Sequence, residues 1–121
     1  MALVLVPIAA AAHVSARADL PRHGGEVLAT GELFVELVVE ENQLTLHARD
    51  DRARVVDLST AQANALLWTD EGSRSVPFAT RNGSALTAAA DLPTTSKFRV
   101  VVSLELPGQE KTSLLFGPMR L

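Results

Sequence analysis

Apolar and polar positions alternate with a period of two along three stretches of this chain. In Leu33–Glu40 the side chains of Leu33, Val35, Leu37 and Val39 share one face, and Phe34, Glu36, Val38 and Glu40 share the other. Over residues 43–49, Leu44, Leu46 and Ala48 alternate with Gln43, Thr45, His47 and Arg49. Over residues 97–106, Phe98, Val100, Val102, Leu104 and Leu106 line one side. This period, with many β-branched residues, predicts strands with one buried face.

Only Glu41 and Asn42 separate the first two stretches, a length that suits a two-residue hairpin loop. The hairpin sets a register: Glu40 against Gln43, Leu37 against Leu46, Val39 against Leu44, Phe34 against Arg49 and Glu36 against His47. A slip of one residue would turn the leucines to the wrong face. The outer face, which carries Glu36, His47 and Arg49, is expected to be wet.

The remaining segments are shorter. Residues 26–30 follow Gly24-Gly25 and read as a strand, and residues 55–58 as a short edge strand. Residues 61–69 are ambiguous between a helical turn and a strand, with a hairpin around residues 70–73 the preferred reading. Asn82-Gly83 is a favoured hairpin pair and would join residues 76–80 to residues 85–90. Pro77 marks the first of these as an edge strand. Pro107-Gly108 turns the chain into residues 112–116, and Gly117-Pro118 is expected to end the ordered part. Short strands separated by turn residues, with no βαβ rhythm, predict an all-β fold. The expected form is a single small antiparallel β-sandwich, immunoglobulin-like, of about seven or eight strands over residues 19–121.

The first residues depart from this pattern. The run ALVLVPIAAAA is too short to span a bilayer as a helix, but has the length of a signal-peptide core. Small-x-small sites follow, so residues 1–18 are expected to be a signal peptide and the mature chain to begin at Arg17 or Asp19. No Lys or Arg precedes the apolar run, which suggests a start codon further upstream. The alternative is a buried N-terminal strand or helix. Export would place the protein in the periplasm, with no membrane span in the mature chain.

Composition narrows the function. The 121 residues include one Trp, four Phe and no Tyr, so Val, Leu and Ala must fill the core. The formal charge is −3 and no basic cluster occurs, which argues against a nucleic-acid partner. The absence of Cys excludes disulfides, thiolate metal sites and Cys nucleophiles. No G-x-S-x-G elbow, HExxH helix or Gly-rich phosphate loop is present, so no enzyme is expected. Asp50, Asp51 and Asp57 do not have calcium-loop spacing. Asn82-Gly83-Ser84 matches a glycosylation sequon, which the hairpin explains equally well.

Two places could carry binding chemistry. Glu36 and His47 are cross-strand partners that could share a proton or hold a metal, with His23 as a third ligand. The plainer readings are an exposed cross-strand pair and a solvated His in a mobile lead. Trp68 is either core or an interface residue.

The run His23-Gly24-Gly25-Glu26-Val27, then Leu33-Phe34-Val35-Glu36-Leu37-Val38, Leu44-Thr45-Leu46 and Val100-Val101-Val102-Ser103-Leu104, resembles small exported bacterial domains that open with an HGG segment. The resemblance spans residues 22–106, and its opening is the distinctive part. Such domains occur alone or beside periplasmic adaptor proteins of heavy-metal efflux systems. It implies a periplasmic accessory role, an envelope efflux or adaptor protein as partner, and weak contact with a divalent transition metal at His23 and Glu36. Two positions depart from the pattern. Leu33-Phe34 stands where relatives have an aromatic followed by His, and Asp50-Asp51-Arg52-Ala53 lacks their Asp-Gly turn.

Overall fold

The computed structural model describes residues 17–81 and 83–121; the apolar run of the expected signal peptide and Asn82 lie outside them. The described residues form nine antiparallel strands: β1 Glu26–Thr30, β2 Leu33–Glu40, β3 Gln43–Asp50, β4 Gln62–Thr69, β5 Gly72–Pro77, β6 Ala79–Thr80, β7 Ala85–Ala89, β8 Phe98–Glu105 and β9 Thr112–Met119. They make two sheets, in the orders β1-β2-β3-β7-β6 and β5-β4-β8-β9. The sheets face each other across one core, so the fold is the expected all-β sandwich. Among the described residues no helix is long and apolar enough to cross a membrane.

The β2–β3 hairpin has the register its apolar faces require. Glu40 pairs with Gln43, Leu37 with Leu46, Val39 with Leu44, and Glu36 with His47. Val35, Leu37, Leu44 and Leu46 are buried against Leu67, Val100, Val102 and Phe116 of the opposite sheet. Scarce aromatics are thus offset by interdigitated Val and Leu, with Phe98 and Phe116 as the large inward rings.

At residues 61–69 the preferred hairpin reading holds: they are strand, paired with β5 and β8, and the burial of Ala65 and Leu67 outweighs the helix preference of Ala and Gln. Four local readings change. Residues 55–58 form no strand. Val55 makes a single bridge to Arg49, and Leu58 is a fully buried plug whose N–H donates to the Gly83 carbonyl. The stretch after β4 is split at Phe78: β5 belongs to one sheet and β6 to the other. Pro77 ends β5, and only Ala79 and Thr80 pair with β7. Thr80 pairs with Leu86, so the connection there is longer than a two-residue turn. Finally, Gly117-Pro118 does not end the order. β9 continues to Met119 through a cis peptide bond, with a register shift opposite Arg99.

Candidate functional site

The outer face of β2 and β3 is not wet at its β1 end. Residues leading into β1 form a strap that crosses it, and two charged side chains of the sheet hold the strap down. Glu36, 1% exposed, points outward from β2 into the strap's backbone. Its Oε1 accepts the N–H of Arg22 at 3.0 Å, and its Oε2 accepts those of His23 at 3.0 Å and Gly25 at 2.8 Å. Arg49 of β3 lies beside it, 5% exposed. Its Nη2 donates to the Leu20 carbonyl at 2.8 Å, and its Nη1 stands 3.7 Å from Glu36 Oε1. Gly25 fits because the strap backbone touches β2; a β-carbon there would collide with the Leu37 carbonyl.

The electrostatics follow from this wiring. Burial alone would push the Glu36 carboxyl upward. The three strap N–H groups and the nearby His23 outweigh it and hold the group below its ordinary value, so it is a carboxylate. His47 is pulled below its ordinary value, first by burial and then by its neighbours His23, Arg49 and Arg81, with Glu36 opposing them.

With the strap fixed, the His23 ring stacks on His47. Their centroids are 3.8 Å apart and the planes 13° from parallel. A shallow cleft of about 340 Å³ opens beside them, lined by His23, His47, Arg49, Arg81, Ser84 and small apolar neighbours. The structure therefore brings together the three residues that the sequence reading grouped: His23, Glu36 and His47. It gives them different tasks. The oxygens of Glu36 are occupied by backbone donors, and two near-parallel stacked imidazoles direct their in-plane nitrogen lone pairs alongside each other rather than to one point. No group of three or more His, Asp or Glu side chains arranged to hold a metal ion occurs among the described residues.

Sequence reasoning missed Arg49, Arg81 and the role of Gly25. Arg49 was placed correctly opposite Phe34 and two positions from His47, but nothing local says that a strap will cover it. Gly25 has only the weak signal of a Gly-Gly pair before a strand. Arg81 reaches the cleft from the β6–β7 connection, through tertiary structure alone.

Trp68 lies elsewhere, on the outer face of β4, and is 49% exposed. It pairs with Ser73 of β5 and Arg99 of β8. The neighbouring row across the same face is Ser75, Leu66, Val101 and Leu115, of which Leu115 is 55% exposed. A larger open depression of about 770 Å³ lies at the β4–β5 turn, rimmed by Asp70, Glu71 and Asp91.

The fold and these two surfaces define a small β-sandwich with an N-terminal strap. No family model matches the sequence, and no curated protein matches it. Among solved structures it is similar to a DUF4426 family protein from Pseudomonas aeruginosa PAO1, with a TM-score of 0.56 and 14% sequence identity over 75% of this chain and 92% of that one. At that identity the likeness concerns the fold.

Proposed function

We propose that this chain is a non-enzymatic accessory domain of the bacterial cell envelope, exported to the periplasm, that acts by docking on a protein partner of a metal-efflux or related system. The observation that carries the docking is the outer face of the β5-β4-β8-β9 sheet. Leu66, Trp68, Val101 and Leu115 are adjacent there by register, with Arg99 beside the indole. Single exposed apolar residues are ordinary, whereas a contiguous group on one sheet face is a feature of interaction surfaces. Trp and Arg are also the residue types that dominate binding energy at interfaces. The efflux context comes from the HGG opening and its companion strands.

The test replaces Trp68 by a photo-crosslinking amino acid in the full chain, in living cells, with Ala89 on the other sheet as control. The expected result is one predominant envelope-protein adduct at position 68 that is missing at position 89. Equal or absent adducts at both positions overturn the docking reading. A second reading, weak divalent-metal contact, has the juxtaposition of His23 and His47 in its favour. Calorimetric titration with Zn(II) and Cu(II) decides it: binding abolished by His47→Ala supports it, and no heat at millimolar metal ends it.

A further inference from the structure

We propose that the cleft beside the stacked histidines is a binding site for a small oxyanion group, a phosphate or a carboxylate. The proposal goes beyond the docking surface, which lies on the other sheet.

The lining chemistry carries it. The polar side chains there are His23, His47, Arg49, Arg81 and Ser84, and none of the described lining residues is a carboxylate. Guanidinium groups donate and do not accept, and imidazole and hydroxyl groups can also donate. A site rich in donors and positive charge selects an acceptor with negative charge. Glu36, beside Arg49, is already occupied by three strap N–H groups and that guanidinium, and Asp57, beside Gly83, accepts the Ser59 N–H. The lining itself carries two guanidinium groups, those of Arg49 and Arg81, and no carboxylate. The depression of the His47 pKa has burial as its largest cause, with Glu36 opposing it and the Arg49 and Arg81 charges adding to it.

Arg49 provides an independent observation. It is 5% exposed and lies at the cleft wall, and its Nε is the one buried side-chain nitrogen or oxygen without a hydrogen-bond partner among the described residues. A buried donor of this kind is unusual and calls for an explanation. The cleft is near the lower limit of small-molecule sites, roughly 300–1,000 Å³. It suits one charged group rather than a folded partner.

The experiment is an NMR titration of the histidine side chains in the full chain, with inorganic phosphate in one arm and succinate in another. Sodium chloride at matched ionic strength is the control. Saturable shifts of His47 and His23 are expected in at least one oxyanion arm, and the arm that saturates names the group. Arg81→Gln, on an exposed side chain, should weaken that binding by about fivefold or more, since it removes one charge-assisted donor. His47→Gln is the second variant, in case Arg81→Gln perturbs its loop. Shifts that chloride reproduces, or that stay linear in both arms, overturn the proposal. So does saturable binding unchanged in both variants.

Discussion

The backbone of Gly25 lies directly against that of Leu37, and this contact fixes the height at which the strap crosses β2. A β-carbon at position 25 would meet the Leu37 carbonyl and stand 3.1 Å from Glu36 Cγ. Gly25→Ala should therefore lift the strap and destabilise the fold by about 1–3 kcal/mol, the usual range for overpacking. Gly24→Ala meets no atom but forces a side chain at φ +79°, so its cost should be smaller, about 1 kcal/mol. Urea unfolding midpoints of the two variants check the order.

Glu36 and Arg49 are mutually dependent. Removing the carboxylate leaves the buried guanidinium without its counter-charge and three strap N–H groups without their acceptor. Breaking one partner of such a buried pair costs about 3–5 kcal/mol. Glu36→Ala should reach that range, and Glu36→Gln should fall below it because the amide oxygen still accepts. Limited proteolysis gives a separate readout: the chain should be cut between Leu20 and Gly25 in Glu36→Ala before the sandwich itself is attacked.

Acid should weaken the protein in two windows. The Glu36 carboxyl is held below its ordinary value of 4.5, so its contribution is present above that pH and is lost as pH falls through the lower folded value. His47 is held below 6.5, so the unfolded chain takes up the proton first, and the corresponding stability is present above 6.5 and erodes below it. Both effects have the same sign. The urea midpoint should decline on acidification, with His47→Gln flattening the upper window and Glu36→Gln the lower one. A midpoint that rises as pH falls from 6.5 would contradict this assignment.

Trp68, as the single tryptophan, reports on its own surface. Its fluorescence should be readily quenched by iodide in the isolated protein, as expected for a half-exposed indole. Trp68→Ala should change stability by about 1 kcal/mol or less while removing the centre of the proposed docking surface. By contrast, Phe116→Ala, at a fully buried ring, should cost about 3–5 kcal/mol. Thermal unfolding of the two variants should separate them clearly.

How much of this was legible in the sequence depends on how local each cause is. Side-chain alternation and a two-residue loop act over neighbouring positions, so the β2–β3 register, the pairing of Glu36 with His47 and the all-β sandwich followed from residues 33–49 and their like. The strand over residues 61–69 was legible through the turn at residues 70–73 rather than through its own composition, and the break at Phe78 was not legible. There the deciding energy is the handover between sheets, which no local preference contains.

The same division holds at the site. The sequence determined which residue types face outward from the first hairpin. Tertiary structure decided that a strap would cover them, that Glu36 would spend its lone pairs on backbone N–H groups, and that Arg81 would reach the histidines from a distant turn. The reason is physical: alternation sets the side of a sheet on which a residue lies. Whether that side meets water or another part of the chain depends on contacts between segments far apart in sequence.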